Sequence, residues 1–265
     1  MPCPGVSVLM GVRDGAPWVG EAVKSILGQT LTDLELIVID DGSTDGTAAI
    51  LERFRHDVRL RVVPQGPAGL TRSLNRALAV ASAPLIARLD ADDIALPERL
   101  ARQRAVLDAH PEVGVLGTGA REVDESGREI RVVIPPADHA ALQRALIRAN
   151  PMVHSSVMMR RTVLEALGGY DERLSVAQDY DLWMRMAGVT RLANISEPLV
   201  VRRLIARRVS VTRDTARLRA EWQIRWRAVR RGAYPWWCAA FALRPALALA
   251  LPAALRAGLR QTRRG

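Results

Sequence analysis

A chain of 265 residues has room for one large α/β core and an appendage, and excludes two full-sized domains with separate cores. Two cysteines, Cys3 and Cys238, exclude a disulfide framework, and the first residues lack the basic and apolar stretches of a signal peptide, so the chain reads as cytosolic and reduced. The net charge of +10 is unevenly spread. From Arg202 onward lie 16 of the 38 basic residues but only Asp214 and Glu221 of the 28 acidic ones, leaving 22 basic and 26 acidic residues before it. The basicity belongs to the tail, so it does not mark the first part as a binder of polyanions.

In chain order, Val6 to Met10 and Leu34 to Ile39 are apolar runs that read as buried strands, the second ending in Asp40-Asp41-Gly42-Ser43. Between them Ala22, Val23, Ile26 and Leu27 recur at helical spacing. Ser43 or Thr44 is the expected N-cap of a helix through Ile50, Leu51 and Phe54. Leu60 to Val63 predicts a third strand, Leu70 to Ala81 a helix, and Leu85 to Leu89 a fourth strand, followed by a helix that Pro97 begins. Such alternation implies a mostly parallel sheet flanked by helices. From Val113 the pattern loosens into shorter segments, with a hairpin at Glu125-Ser126-Gly127 and a strand from Ser155 to Met159.

Ligands bind beyond the carboxyl ends of such strands, where Asp40-Asp41 and Asp90-Ala91-Asp92-Asp93 both fall, so the two clusters should share one cleft. Asp90 and Asp92 suit a hard divalent cation, because Mg²⁺ or Mn²⁺ takes few protein oxygens and completes its shell from phosphates and water. An acidic turn that only caps a helix is the competing reading.

The runs Val6-Ser7-Val8-Leu9-Met10, Ala22 through Thr30, and Asp40-Asp41-Gly42-Ser43-Thr44-Asp45-Gly46-Thr47 resemble family 2 glycosyltransferases of the GT-A fold. Gly69-Leu70 through Asn75, Ile86 through Asp93 with Pro97, Gly168-Gly169-Tyr170-Asp171 and Asp179-Tyr180-Asp181-Leu182-Trp183 continue the resemblance over roughly residues 5 to 210. It implies a GT-A domain over 1–210, with a nucleotide-sugar half to about residue 112 and an acceptor half over 113–210. A basic amphipathic helical tail would occupy 211–265. It also implies an inverting transfer from a nucleotide diphosphate sugar, a UDP-sugar favoured, to a saccharide or lipid-linked hydroxyl in cell-surface polysaccharide or glycolipid synthesis. Carried onto this sequence, the donor site is Gly11, Arg13, Asp14, Asp41, Arg72 and Asp90, with Asp41 on the base. Asp92 is the metal ligand for Mg²⁺ or Mn²⁺. Asp179 is the catalytic base, and His154, Gly169, Tyr170 and Trp183 face the acceptor, although Trp183 also suits the core.

Departures from the family pattern are specific. Arg13 and Asp14 stand where an aromatic and an asparagine are common, so a guanidinium plane would have to stack on the base. Gln178 replaces an acidic residue before the base, removing a charge that would raise the pKa of Asp179. Arg203-Leu204-Ile205-Ala206 offers no histidine, and Arg207 or Arg208 could supply phosphate charge instead.

Arg244-Pro245 and Pro252 interrupt the apolar stretch from Trp236 to Leu255, which excludes a spanning helix. Trp236, Trp237 and Phe241 among arginines suit the headgroup region of an anionic membrane at the inner face of the cell membrane; packing on the core or on another chain is the alternative. Nucleic-acid binding through Arg213 to Arg231 has charge in its favour and no reading motif, so no nucleic acid is expected. A dinucleotide loop fails at Glu122 after Gly117-x-Gly119. A catalytically silent relative is the remaining alternative.

Overall fold

The computed structural model describes residues 4–205 and 214–250. Strand β1 (Val6–Val12), helix α1 (Val19–Leu27), β2 (Leu34–Asp40), α2 (Thr47–Glu52), β3 (Leu60–Pro64), α3 (Leu70–Val80) and β4 (Leu85–Arg88) alternate as the hydrophobic runs predict. β1 to β4 form a parallel block in the order β3-β2-β1-β4. The order reverses between β1 and β4, since the chain moves outward one way to β3 and then returns to the other side of β1. That switch point opens a crevice at the carboxyl ends of the strands. Register places Val12 beside Asp40 and Leu9 beside Arg88, so the segments after β1, β2 and β4 emerge together.

Purely parallel pairing ends there. The chain continues through β5 (Ile94–Ala95), α4 (Arg99–Ala109), β6 (Val113–Val123), β7 (Glu129–Val133), α5 (His139–Leu146), β8 (Met158–Arg160), α6 (Arg161–Ala166), α7 (Gln178–Met186) and β9 (Arg191–Arg203). β8 runs antiparallel to both β4 and β6, β9 is parallel to β6, and β5 and β7 pair antiparallel with β9 and β6. The result is a mixed nine-stranded sheet. Its second half contains the two longest strands rather than the short segments expected. The hairpin at 125–127 is present, with Gly127 at φ +86° in the turn.

Alternation along the strands builds two cores. Val6, Val8, Met10, Leu36 and Val38 face α1 and α4, while Leu9, Ile37, Ile39 and Ile86 face α3, α5 and α7. Two local expectations are corrected. α2 begins at Thr47 with Gly46 as N-cap, because Ser43 and Thr44 bond to Asp14 instead. Residues 154–156 form a 3-10 turn and the strand starts only at Met158. The Ser156 hydroxyl donates back to Val153 O at 2.8 Å, with Thr118 O as the alternative acceptor at 3.1 Å, holding the chain in a turn.

The basic tail contributes α8 (Asp214–Arg230) and α9 (Ala239–Ala250). Ala220 and Ile224 of α8 join the apolar cluster that holds Tyr180 and Trp183. Much of its charge is spent internally: Arg217 pairs with Asp214 and Glu221, and buried Arg225 donates to Glu221, the Tyr180 hydroxyl and Phe241 O. Among the described residues no helix is long and apolar enough to cross a membrane. Arg207, Arg208, Arg213 and Pro252 lie outside the described residues.

Candidate active site

The crevice is built from loops tied to one another. After β1, Asp14 adopts φ +51° and is locked to the loop after β2: its carboxylate accepts from Thr44 N–H at 2.8 Å, and its own N–H donates to Ser43 Oγ at 3.0 Å. Asp41, at the end of β2, accepts from Gln65 Nε2 at 2.6 Å and from the N–H groups of Ala68 and Gly69 at 2.8 Å each. Burial opposes its charge, but these donors prevail and hold the carboxyl below the ordinary value of 3.8. An anion at that position fixes the entry to α3. Gly11 faces the same helix, where an added Cβ would lie 3.0 Å from Leu70 Cδ1. Arg13 stays half exposed at the mouth, 4.0 Å from Asp14, and Arg72 is exposed and pairs with Glu172 at 3.4 Å.

Opposite these loops, Asp90, Asp92 and Asp93 each offer a carboxylate oxygen, all within 4.8 Å of one another. Asp90 pairs with buried Arg88, and the Ser155 hydroxyl lies within hydrogen-bond reach of both Asp90 and Asp93. A hydroxyl has one proton and can donate to only one of them at a time. Asp93 is fully buried and accepts from Arg203 N–H at 2.9 Å. The Arg203 guanidinium donates to the Asp92 carbonyl, ion-pairs with Glu21 and lies 4.6 Å from the Trp18 ring centroid. Three close carboxylates of hard oxygen are a donor set that suits a divalent cation.

Asp179 lies in the first turn of α7, two residues after the N-cap Ala177, which has φ +57°. Asp14 and Ala177 are the only non-glycine residues with positive φ among the described residues, and both abut this site. Burial raises the Asp179 pKa; the Tyr180 N–H and Asn150, whose Nδ2 lies 2.7 Å from Oδ2, act in the opposite direction, as does Arg88, while Asp90 adds to the rise. That Arg88 and Asp90 both act on Asp179 ties the base candidate to the acidic cluster. His154 Nε2 meets the Tyr170 hydroxyl at 2.9 Å, and burial, then Arg88, hold His154 well below 6.5 and neutral. Gly169, at φ +69°, and Tyr170 are held by Asn75, which accepts from Tyr170 N–H and donates to Tyr170 O. Trp183 is fully buried in the core and meets the site through an edge contact with His154 at 6.0 Å. Its position is that of the core role the sequence also allowed.

Sequence reading missed Asp93, Ser155, Arg88, Asn150, Arg203 and Glu21. Only Asp93 carried a local signal, as the last acid of its cluster.

Residues 7–168 match the model of glycosyl transferase family 2. EpsE of Bacillus subtilis (strain 168), named as a glycosyltransferase, is 34% identical over 69% of this chain and 66% of its own length. WbnJ of Escherichia coli, an O-antigen biosynthesis glycosyltransferase, is 31% identical over 74% of this chain and 78% of its own. The chain thus spans about two thirds of the first of these relatives. Among solved structures, S. aureus TarS 1–349 in complex with UDP-GlcNAc aligns with TM-score 0.68 at 21% identity, covering 83% of this chain and 66% of that one. The mannosyltransferase PcManGT from Pyrobaculum calidifontis, in complex with GDP-Man and Mn²⁺, aligns with TM-score 0.64 at 23% identity, covering 98% and 79%. The sheet order and these likenesses give the fold as GT-A, and the family match gives the conclusion: the chain belongs to glycosyl transferase family 2.

Proposed function

We propose that the chain is an inverting, metal-dependent glycosyltransferase that moves a sugar from a nucleotide diphosphate to an acceptor hydroxyl. The observations that support this reading are the three close carboxylates of Asp90, Asp92 and Asp93 and the action of Arg88 and Asp90 on the charge of Asp179. Asp179 takes the proton of the acceptor hydroxyl as its oxygen attacks the anomeric carbon from the face opposite the diphosphate, which inverts configuration. A raised pKa makes Asp179 a stronger base than an exposed carboxylate. Asp92, with Asp90 and Asp93 beside it, would hold Mg²⁺ or Mn²⁺, which when bound neutralises charge on the departing diphosphate. Gly11, Arg13, Asp14, Asp41 and Arg72 line the donor side, with the Arg13 guanidinium available to stack on the base.

A UDP-sugar is the favoured donor, in keeping with TarS bound to UDP-GlcNAc, and GDP-Man in PcManGT marks the alternative base. Relatives named for O-antigen and amylovoran biosynthesis support a saccharide or lipid-linked acceptor in cell-surface polysaccharide assembly. Trp236 at 83% and Trp237 at 57% exposure support seating the cytoplasmic face of an anionic membrane against this end.

Thermal unfolding with UDP, dTDP, GDP and CDP, each with and without Mn²⁺, tests the reading. One nucleotide should raise the midpoint only together with the metal. No shift with any of the four would return the chain to the silent relative.

A further inference from the structure

The tail helix α8 reaches the first turn of α7 through one buried side chain, and each nitrogen of that side chain has a partner. Arg225 Nε donates to the Tyr180 hydroxyl of α7 at 2.9 Å, Nη1 to Phe241 O of α9 at 3.1 Å, and Nη2 to Glu221 of α8 at 3.1 Å. The guanidinium also lies 5.6 Å from the Tyr180 ring centroid. Glu221 pairs with Arg217 as well, so charge balance alone does not call for Arg225.

Tyr180 passes the contact on. Its hydroxyl has one proton, which it donates to Leu146 O, while its lone pairs accept from Arg225. Leu146 ends α5, and four residues on Asn150 donates to Asp179 at 2.7 Å. Two adjacent residues of α7 are therefore bonded to the segment 146–150, Tyr180 to Leu146 and Asp179 to Asn150. The two bonds close a ring that holds the candidate base against that segment. The tail grips the ring from both sides. Arg225 takes Tyr180, and the exposed Arg148 guanidinium lies 5.5 Å from the ring centroid of Phe241, the residue whose carbonyl Arg225 also holds. Tyr234, between α8 and α9, donates to Gln143 O of α5 at 3.0 Å.

We propose that Arg225 is a positioning residue for the base: it holds Tyr180 and, through it, the first turn of α7 where Asp179 meets Asn150. Anchoring Tyr180 removes part of the disorder that the Asn150 to Asp179 bond would otherwise have to overcome. The proposal rests on Asp179 as the base and adds a task for the tail, which lies beyond residues 7–168 of the family match.

Two measurements on the full chain test it without an acceptor. Arg225→Met keeps the apolar stem and leaves Glu221 paired with Arg217. In that variant amide exchange over 147–150 and 178–181 should quicken about ten-fold, the order expected for one lost hydrogen bond. The carboxyl ¹³C titration of Asp179, identified by its absence in Asp179→Asn, should move upward, because Asn150 acts to lower that pKa and its hold is weakened. Arg225→Lys can still donate to the Tyr180 hydroxyl and should restore most of both. Arg217→Met supplies the comparison: the partners of Arg217, Asp214 and Glu221, both lie on α8, so exchange should change in the tail alone. If Arg225→Met does not fold, Tyr180→Phe removes the same link and should give the same two changes. Exchange over 147–150 that stays as in wild type, an Asp179 titration that is unmoved or lowered, or equal changes in Arg217→Met would overturn the proposal and leave Arg225 a residue that only packs the tail. Neither measurement needs turnover, so a failure of Asp179 as the base shows separately, as transfer retained in Asp179→Asn.

Discussion

Asn150 Nδ2 donates to Asp179 Oδ2 at 2.7 Å, so an exposed amide on the loop after α5 steadies the charge of a carboxylate that burial penalises. Removing that donor in Asn150→Ala should raise the Asp179 pKa further. Transfer needs the carboxylate form, so the acid limb of kcat/KM against pH, already above the ordinary carboxylate value, should move to higher pH. The rate on the alkaline plateau should change less. An acid limb in the same place would mean that Asn150 only orders its loop.

Asp179→Asn should abolish transfer and raise the unfolding midpoint at neutral pH. A carboxyl whose folded pKa is raised stabilises the fold only when protonated, and that contribution is lost as pH rises through the folded value. At neutral pH the charge therefore costs stability, which an isosteric amide avoids while still accepting from Asn150. Nucleotide binding should survive. Retained transfer would remove Asp179 from the mechanism.

How far these groups could be read in advance depends on where their partners lie. Asp41, Asp90, Asp92 and Asp179 were legible because each sits in a local run with its own pattern, at a strand end or in the first turn of a helix. Ser155 is 65 residues from Asp90, and Arg203 is 110 from Asp93, so neither contact leaves a local trace. The parallel first half was legible for the same reason: a buried strand followed by an amphipathic helix repeats in sequence. β6 and β9 were not, since glycines at 114, 117 and 119 interrupt the apolar pattern of β6 while serving close packing. A Cβ on Gly117 would meet Asn194 Oδ1 at 2.1 Å across the sheet.

The acids of the cluster should separate by burial. Asp92→Ala, at a partly exposed position, should cancel the metal-dependent nucleotide shift while leaving the metal-free midpoint near wild type. Asp93→Ala removes a buried acceptor of Arg203 N–H and should cost about 1–3 kcal/mol of stability in denaturant unfolding. Equal stability in the two variants would show that Asp93 does not hold β9 to this loop.

Gly168 and Gly169 form a matched pair for a strain measurement. Both have positive φ, +73° and +69°, which an alanine adopts at about 1–2 kcal/mol. At Gly168 an added Cβ meets nothing within 4 Å, whereas at Gly169 it lies 2.8 Å from Asn75 Oδ1, the atom that holds Tyr170 N–H. Gly169→Ala should therefore lose more stability than Gly168→Ala and, unlike it, slow transfer by disturbing the Tyr170 loop. Equal losses would make the Asn75 contact pliable.

His154 sets an acid limit on the fold itself. Burial is the largest cause of its lowered pKa, with Arg88 second, so in the folded chain the ring stays neutral and is paired with Tyr170. In the unfolded chain it titrates near 6.5. Below that pH the unfolded state binds a proton that the folded state refuses, so the stability present above 6.5 is lost as pH falls toward the folded value. His139, lowered by burial and by Arg191, adds a term of the same sign. Replacing His154 by Gln, which keeps a polar group facing the Tyr170 hydroxyl, should flatten the fall in midpoint between pH 6.5 and 5 and leave the His139 part. An unchanged slope would mean that protonated His154 is accommodated without unfolding. The site would then have to be reconsidered as open to solvent at Tyr170.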